Sequence, residues 1–325
     1  MIETMKTILK DILEVVKRLP EDFLNTALDN LMELESIADA ASKSVAVFCL
    51  SCGSDYVVKN GKRRRKQAYL CRDCGKTFVE TSGSIIAYSH SSKAVWRRVV
   101  ADTVNGVSID DTAETLNLGH STVFNMRHKI LRRIEDALLE SPVELNGACE
   151  ADETFVLESV KGRKIPKGYH RKARRHGAKA VKRGISSEYI CVCTGIANDG
   201  DAVAVSVNRA APSSAEILEV FENRVNKDTV VLCDGNHSYN VLESLCSVAV
   251  PRRINKVNGF HSFIKRRLRH MAGVATIYQN RYNSLFATAY ARGEEVIEEI
   301  FALITARDGS YASIAHNRLI NLLLI

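Results

Sequence analysis

Two aspartates stand beside apolar stretches that are typical of buried strands. Asp152 lies inside "ACEADETFV", and Asp234 ends the most apolar stretch, "TVVLCDGN". An acid at the carboxyl end of a buried strand faces the crevice where open α/β sheets bind ligands. Two such acids on neighbouring strands can share Mg²⁺ or Mn²⁺, and such sites cleave and transfer phosphodiesters. For Asp234 taken alone, the "DGN" turn also allows a simpler role as a cap of the following helix.

Nine cysteines fall into two kinds. Five occupy apolar, strand-like settings and predict small buried hydrophobic side chains. The other four form two C-x-x-C pairs, each followed by glycine, and the segment between the pairs predicts a hairpin that turns at Asn60-Gly61. Four thiolates suit a structural Zn²⁺, with no coordination position left for substrate. A disulfide pair or a redox site fits the spacing less well. The predicted zinc ligands are Cys49, Cys52, Cys71 and Cys74.

The charge distribution points to a polyanionic partner. The net charge is +7 and the pI about 8.9, and the basic residues concentrate in segments 59–76 and 161–183. Such segments give salt-dependent, sequence-independent affinity for DNA phosphates, or they are simply solvated loops. No apolar run of about 18 residues predicts a membrane span. The absence of a signal peptide and the unpaired cysteines favour the reducing cytoplasm, with the protein on the nucleoid.

Three helices are expected between residues 92 and 135. Ser108 is a good N-cap for a short helix, "NLGH" is a turn, and the next helix runs from Ser121 to Leu138. A small residue, Ala113, and a glycine-containing turn suit a helix-turn-helix, although a plain helical bundle has the same pattern. In the first case the second helix presents five side chains to DNA: Ser121, Thr122, Asn125, Arg127 and His128.

From residue 143 onward the pattern becomes α/β. Strands are predicted in "LNGACEADETFVLES", "EYICVCTGIAN" and "AVAVSVN", then a helix, then a strand in "TVVLCDG". Helices are expected at 255–271 and 277–305. Three strands, a helix and a fourth strand is the order of an RNase H-like fold, although other α/β proteins share that order.

The predicted helix "NKVNGFHSFIKRRLRH" is strongly basic, and no Asp or Glu lies between Glu243 and Glu294. Taken alone, it indicates a solvated or DNA-facing helix. This helix is, however, the last of several motifs in the chain. It follows the ribbon, the helix-turn-helix, "EADETFV" and "VVLCDGNHSY" in that order. Residues 45–290 resemble insertion-sequence transposases of the DDE class, in particular the ISXO-type group with an N-terminal zinc ribbon.

This resemblance implies roles for individual residues. Asp152 and Asp234 would be the first two ligands of catalytic Mg²⁺ or Mn²⁺, and Asn258 would occupy the third position, where the three-carboxylate pattern has an acid. Lys265, two helical turns later on the same face, would contact a DNA phosphate. Glu150, two residues before Asp152 and so on the same strand face, is an alternative source of negative charge. The motif "IYQNRYN", with Tyr278, Asn280 and Tyr282, serves helix packing or DNA contact.

The expected protein is therefore multidomain. It comprises an α-helical N-terminal extension (1–44), a zinc ribbon (45–82), a helix-turn-helix domain (90–140), an α/β RNase H-like catalytic domain (143–290) and C-terminal helices (291–325). The expected function is cleavage and strand transfer of double-stranded DNA at terminal inverted repeats, by a homo-oligomer, most simply a dimer, that joins the ends to target DNA. A non-catalytic DNA-binding regulator and a nuclease are the alternatives. Further expected DNA contacts are Arg63, Arg64, Arg65 and Arg266.

Overall fold

The computed structural model describes residues 47–63, 66–165, 167–169, 179–271 and 273–307. The predicted helical extension 1–44, Arg64 and Arg65, and the last part of the predicted C-terminal helices lie outside these residues. The chain divides into two compact units: residues up to Glu80 together with Ser89–Arg97, and Thr81–Tyr88 together with the chain from Arg98 onward. No helix within the described ranges is long and apolar enough to cross a membrane.

The first unit contains an antiparallel sheet of three strands in the order β1-β2-β3. They are β1 (Val57–Arg63), β2 (Lys66–Cys71) and β3 (Thr77–Val79). The predicted hairpin exists, but its turn is not at Asn60-Gly61, because β1 continues to Arg63, which pairs with Lys66. The Asn-Gly pair instead lies at a register shift in β1, where Gly61 has φ +67°. A glycine with positive φ therefore makes a bulge here, not a hairpin loop.

The three predicted helices are present as α1 (Lys93–Asn105), α2 (Ile109–Thr115) and α3 (His120–Glu140). Ser108 caps α2 as expected, because its side-chain oxygen accepts a hydrogen bond from the Asp111 amide at 3.0 Å. Thr112 and Ala113 are the buried residues of α2. The turn between α2 and α3 includes Asn117, whose φ of +49° is tolerated because asparagine visits the left-handed region more readily than most residues.

The second unit is built around a mixed sheet of five strands in the order β6-β5-β4-β7-β8. The first three strands are antiparallel neighbours, and β7 and β8 add to β4 in parallel. The predicted order of three strands, a helix and a fourth strand is confirmed. The elements are β4 (Ala148–Leu157), β5 (Tyr189–Ala197), β6 (Ala202–Arg209), α4 (Ser214–Phe221), β7 (Val230–Leu232), a 3-10 helix (His237–Ser244), β8 (Ser247–Ala249), α5 (Asn255–His270), a 3-10 turn (Thr276–Tyr278), α6 (Gln279–Arg292), a 3-10 turn (Gly293–Glu295) and α7 (Val296–Thr305).

Side-chain alternation gives the sheet two different faces. One face packs on α4 and the 3-10 helix, and its core includes Phe221, Tyr239 and all five of the cysteines predicted to be buried. Packing there is so close that a Cβ on Gly195 would approach Phe221 to 2.9 Å. On the other face, α5 lies over β4 and β5 and α6 lies over β6. The cysteines confirmed as buried are Cys149, Cys191, Cys193, Cys233 and Cys246.

Candidate metal centres and nucleic-acid interface

The four cysteines of the C-x-x-C pairs converge. Their sulfur atoms all lie within 4.8 Å of one another, and the Cys49–Cys74 and Cys52–Cys71 sulfurs are 3.5 Å apart. Around a tetrahedral zinc with Zn–S bonds of about 2.3 Å, sulfurs lie about 3.8 Å apart, so the donor set fits this ion. Backbone N–H groups at Ser51 and Cys52 lower the pKa of Cys49 to about 6, whereas the neighbouring sulfurs of Cys74 and Cys71 raise the pKa of Cys52 to about 12.

Asp152 and Asp234 lie at the same level of the sheet. β4 and β7 are parallel neighbours in which Glu150 is paired with Leu232, and each aspartate lies two residues further along its chain. Neighbouring strands are about 4.8 Å apart. Asp152 therefore lies in the middle of β4, beside Asp234 just after the end of β7, and the two carboxylates are close enough for Asp234 to raise the pKa of Asp152. Of the residues described, only the four cysteines form a group of three or more His, Cys, Asp or Glu ligand atoms within 4.8 Å.

Asp152 is an electrostatically strained carboxylate. Burial, reinforced by the nearby carboxylates of Glu153 and Asp234, raises the pKa of Asp152 to about 6. Two groups oppose this effect: the Glu153 amide, which donates to Asp152 Oδ1 at 2.9 Å, and the ammonium group of Lys265. Such a group of acids gains most from a cation, which relieves the mutual repulsion.

Asn258 and Lys265 both lie on the exposed part of α5. The amide nitrogen of Asn258 donates to the carbonyl of Ile254, one turn earlier, which leaves its side-chain oxygen for another partner. Lys265 is close enough to lower the pKa of both Asp152 and His261. The helix therefore brings the basic position to the acids, whereas Asn258 makes its side-chain hydrogen bond within its own helix.

His261 is a member of this site that the sequence reasoning missed. It is buried on the face of α5 that covers β4, and its Nδ1 lies 3.8 Å from Asp152 Oδ2. Its Nε2 lies 2.6 Å from the hydroxyl of Thr194, which pairs with Asp152 across β4 and β5. Burial, followed by the charge of Lys265, lowers the pKa of His261 to about 4. The available signal was its spacing, three residues after Asn258 and four before Lys265.

Glu150 has a structural task. Helix α5 begins after Ile254, which has no side chain that can cap it. Glu150 replaces the missing cap from outside the helix, because its Oε2 accepts a hydrogen bond from the Val257 amide at 3.0 Å. A carboxylate at a helix N-terminus also interacts favourably with the helix dipole. This contact ties α5 to the strand that carries Asp152.

Glu153 was likewise not singled out from the sequence, although it is the middle residue of "DET". It points to the opposite face of β4 from Asp152. Its carboxylate accepts hydrogen bonds from Asn236 Nδ2 at 2.9 Å and from the Tyr239 hydroxyl at 3.3 Å. Both partners follow Asp234 in the chain, so Glu153 fixes the segment after β7. Burial raises the pKa of Glu153, and the nearby Asp234 raises it further.

The residues predicted to contact DNA from α3 separate into two groups. Ser121, Thr122 and Asn125 are exposed. Arg127 is 2% exposed, and its Nη2 donates to the Val107 carbonyl at 2.8 Å. His128 packs between aromatic rings, and burial lowers its pKa to about 4. Arg127 and His128 thus serve the packing of the helices, because the face that looked polar in sequence is partly turned inward.

The other predicted contacts are distributed over both units. Arg63 in the first unit is exposed, as is Arg266 on α5. The "IYQNRYN" motif serves helix packing: the ring of Tyr278 lies 4.3 Å from that of His128, and Asn280 Oδ1 accepts a hydrogen bond from the Ser206 amide of β6 at 2.7 Å. Tyr282 is buried in the same layer.

Similarity to known proteins is limited. No family model matches the chain. The chain is 26% identical over 200 residues to the uncharacterized protein in transposable element ISH50 of Halobacterium salinarum. That match covers 61% of this chain and 65% of the relative, just under two thirds of its length.

Two solved structures show a weak likeness. The crystal structure of a pre-cleavage Mos1 transpososome matches with 12% identity and a TM-score of 0.26, over 67% of this chain and 79% of that one. The mariner Mos1 paired end complex with Mg matches with 13% identity and a TM-score of 0.27, over 69% and 80%.

Proposed function

We propose that the protein is a DNA transposase of the DDE class, which binds terminal inverted repeats and catalyses metal-dependent DNA cleavage and strand transfer. The observation that carries the proposal is the position of Asp152 in β4 beside Asp234, which follows the end of the parallel neighbour β7. A basic helix without acids, α5, lies over β4 and brings Lys265 towards Asp152. The strand order and directions are those of an RNase H-like domain, which we propose for residues 143–290.

The donor set of the sheet fits Mg²⁺ or Mn²⁺. Asp152 and Asp234 would supply carboxylate oxygens and Asn258 an amide oxygen, all of the hard type that these ions prefer. A bound divalent cation would stabilise charge on the attacking and leaving oxygens of a phosphodiester. In this proposal Lys265 binds the phosphate beside the scissile bond as a point charge, while Glu153 holds the segment that carries Asp234 in position.

DNA recognition is assigned to three surfaces, which lie on α3, on α5 and on β1 with its exposed Arg63. Ser121, Thr122 and Asn125 on α3 would contact the terminal repeat, whereas the exposed Arg266 and Lys265 on α5 would bind phosphates near the active site. The cysteine cluster would hold a structural zinc that fixes the basic strand β1. Synapsis of two element ends further implies a homo-oligomer, for which a dimer is the simplest form.

The relative in a transposable element supports this proposal, because 200 residues align with it at 26% identity. The ISXO-type subgroup rests on the three short motifs, the helix-turn-helix and the cysteine pairs. A second candidate is a non-catalytic DNA-binding regulator derived from a transposase. Asn258 favours it, because an amide at the third position removes one negative charge from the metal site.

The deciding experiment is cleavage and joining of the element's own ends in the presence of Mg²⁺ or Mn²⁺. The wild type should nick and join the ends, and Asp152→Asn and Asp234→Asn should each lower strand transfer at least about a thousandfold, because they remove the charge that holds the cation. Both variants should retain DNA binding in a gel-shift assay. Full activity in both variants would falsify the proposed site. DNA binding without metal-dependent nicking in the wild type would instead favour the regulator.

A further inference from the structure

The side chain of His261 is a buried polar group whose two ring nitrogens face β4 and β5, Nδ1 towards Asp152 and Nε2 towards Thr194. It lies on the same helical face as Asn258 and Lys265, because residues three, four and seven apart are neighbours on an α-helix. Unlike those two, it is buried against β4 and β5. Its contacts fix which nitrogen carries the proton.

The hydrogen bonds around Thr194 leave one assignment for Nε2. The Thr194 hydroxyl lies 2.7 Å from the backbone carbonyl of Asp152, and a carbonyl can only accept. The single hydroxyl proton is therefore used there. At 2.6 Å from the same hydroxyl, His261 Nε2 must be the donor.

The second nitrogen, Nδ1, then presents a lone pair. Because Nε2 carries the donated proton, the Nδ1 of a neutral imidazole at this position is an acceptor. Nδ1 lies 3.8 Å from Asp152 Oδ2, which is too long for a hydrogen bond. Two acceptor atoms thus face each other across a gap. Two atoms that each bind one cation at about 2.1 Å can be up to about 4.2 Å apart, so the gap lies within reach of a shared ion.

We propose that His261 Nδ1 binds the same divalent cation as the Asp152 carboxylate. The proposal rests on the proposed function, because it concerns the same metal site, and it adds a nitrogen ligand to the oxygen ligands. Ligating histidines donate their other N–H to a fixed acceptor, which orients the ring, and Thr194 provides this acceptor. Because Thr194 also donates to the Asp152 backbone, one hydroxyl aligns both ligands.

The nitrogen ligand has a consequence for the choice of metal. Imidazole is a softer donor than carboxylate, and Mn²⁺ accepts it more readily than Mg²⁺ does. Hence the site favours Mn²⁺ over Mg²⁺. The Glu150 contact with the first turn of α5 holds the helix at the height that this arrangement requires.

The test is pulsed electron paramagnetic resonance on the full chain loaded with zinc and then with Mn²⁺. The wild type should show ¹⁴N modulation of the Mn²⁺ echo, and selective ¹⁵N labelling of histidine should convert this signal to the ¹⁵N pattern. His261→Gln keeps an N–H donor for Thr194 but has no atom at the Nδ1 position. It should lose the modulation and bind Mn²⁺ about tenfold more weakly, with Mg²⁺ affinity less affected. The control is His237→Gln, which removes a histidine three residues after Asp234 and should keep the modulation.

The outcomes separate the two proposals. In the first outcome, Mn²⁺ binds to the wild type but not to Asp152→Asn, and no histidine coupling is seen. This result contradicts the role of His261 and leaves the proposed function standing. If the histidine coupling disappears in His237→Gln, the nitrogen ligand is His237 and not His261, and the proposal is overturned as well. If the wild type and Asp152→Asn bind Mn²⁺ equally well, Asp152 is not a metal ligand. This result contradicts both the metal site and the proposed function. Histidine labelling of the wild type shows whether a histidine nitrogen binds Mn²⁺ even if His261→Gln does not fold.

Discussion

In the cysteine cluster all four ligands come from two tight turns beside one small sheet, whereas the carboxylate site draws on β4, the end of β7 and α5. The cysteine sulfurs already lie within 4.8 Å of one another. The aspartates depend on a strand register and on the position of a helix. The first site is thus defined by local spacing, and the second by the packing of elements that are distant in the chain.

This difference affects how the two sites respond to loss of metal. In the cysteine cluster a zinc ion would replace a hydrophobic core in a small sheet, so folding and binding are coupled. The carboxylate site belongs to a large sheet with its own apolar core. Removing a catalytic cation from it would leave the fold intact and raise only the repulsion among the acids.

The largest effect is expected from breaking the cysteine cluster. Cys71→Ser should abolish zinc binding and unfold the three-stranded sheet, because structural zinc contributes about 10–16 kcal/mol of apparent binding free energy in zinc-finger peptides. Metal analysis and limited proteolysis of the full chain measure both effects. The matched control is Cys246→Ala, which removes a buried thiol of the second unit and should leave the zinc content unchanged. Equal zinc content in Cys71→Ser would contradict the assignment.

A smaller effect is expected at Asn258, the third proposed ligand of the carboxylate site. Asn258→Ala removes the amide oxygen and should lower strand transfer about 10- to 100-fold, whereas Asn258→Glu restores a carboxylate and should cost far less. Strand-transfer rates at saturating Mn²⁺ measure the difference. If alanine and glutamate are equally harmful, the amide oxygen is not a ligand, and Asn258 serves only its own helix through Ile254.

Features that depend on local contacts could be predicted from the sequence more easily than features that depend on distant contacts. The cysteine pairs, the Ser108 cap and the strand order depend on local chemistry, and the structure confirms the cap and the order. The Asn60-Gly61 turn was predicted wrongly, because a bulge has the same local preference for positive φ as a tight hairpin. Arg127 was predicted wrongly and His261 was missed, because the orientation of a helix about its axis depends on what it packs against.

The smallest effect is expected at Glu150, where two roles can be separated. Glu150→Ala removes the cap of α5 and should lower the free energy of unfolding by about 1 kcal/mol, as other lost N-caps do. Glu150→Gln keeps an oxygen that can accept the Val257 N–H, so it should retain most of that stability and most of the strand-transfer activity. Urea denaturation and strand-transfer rates measure the two quantities. If Glu150→Gln is stable but inactive, the carboxylate charge of Glu150 acts in the metal site, and capping α5 is not its only role. If both variants are stable and active, α5 is held in place by its buried face alone, which includes Val257, Phe260 and Ile264.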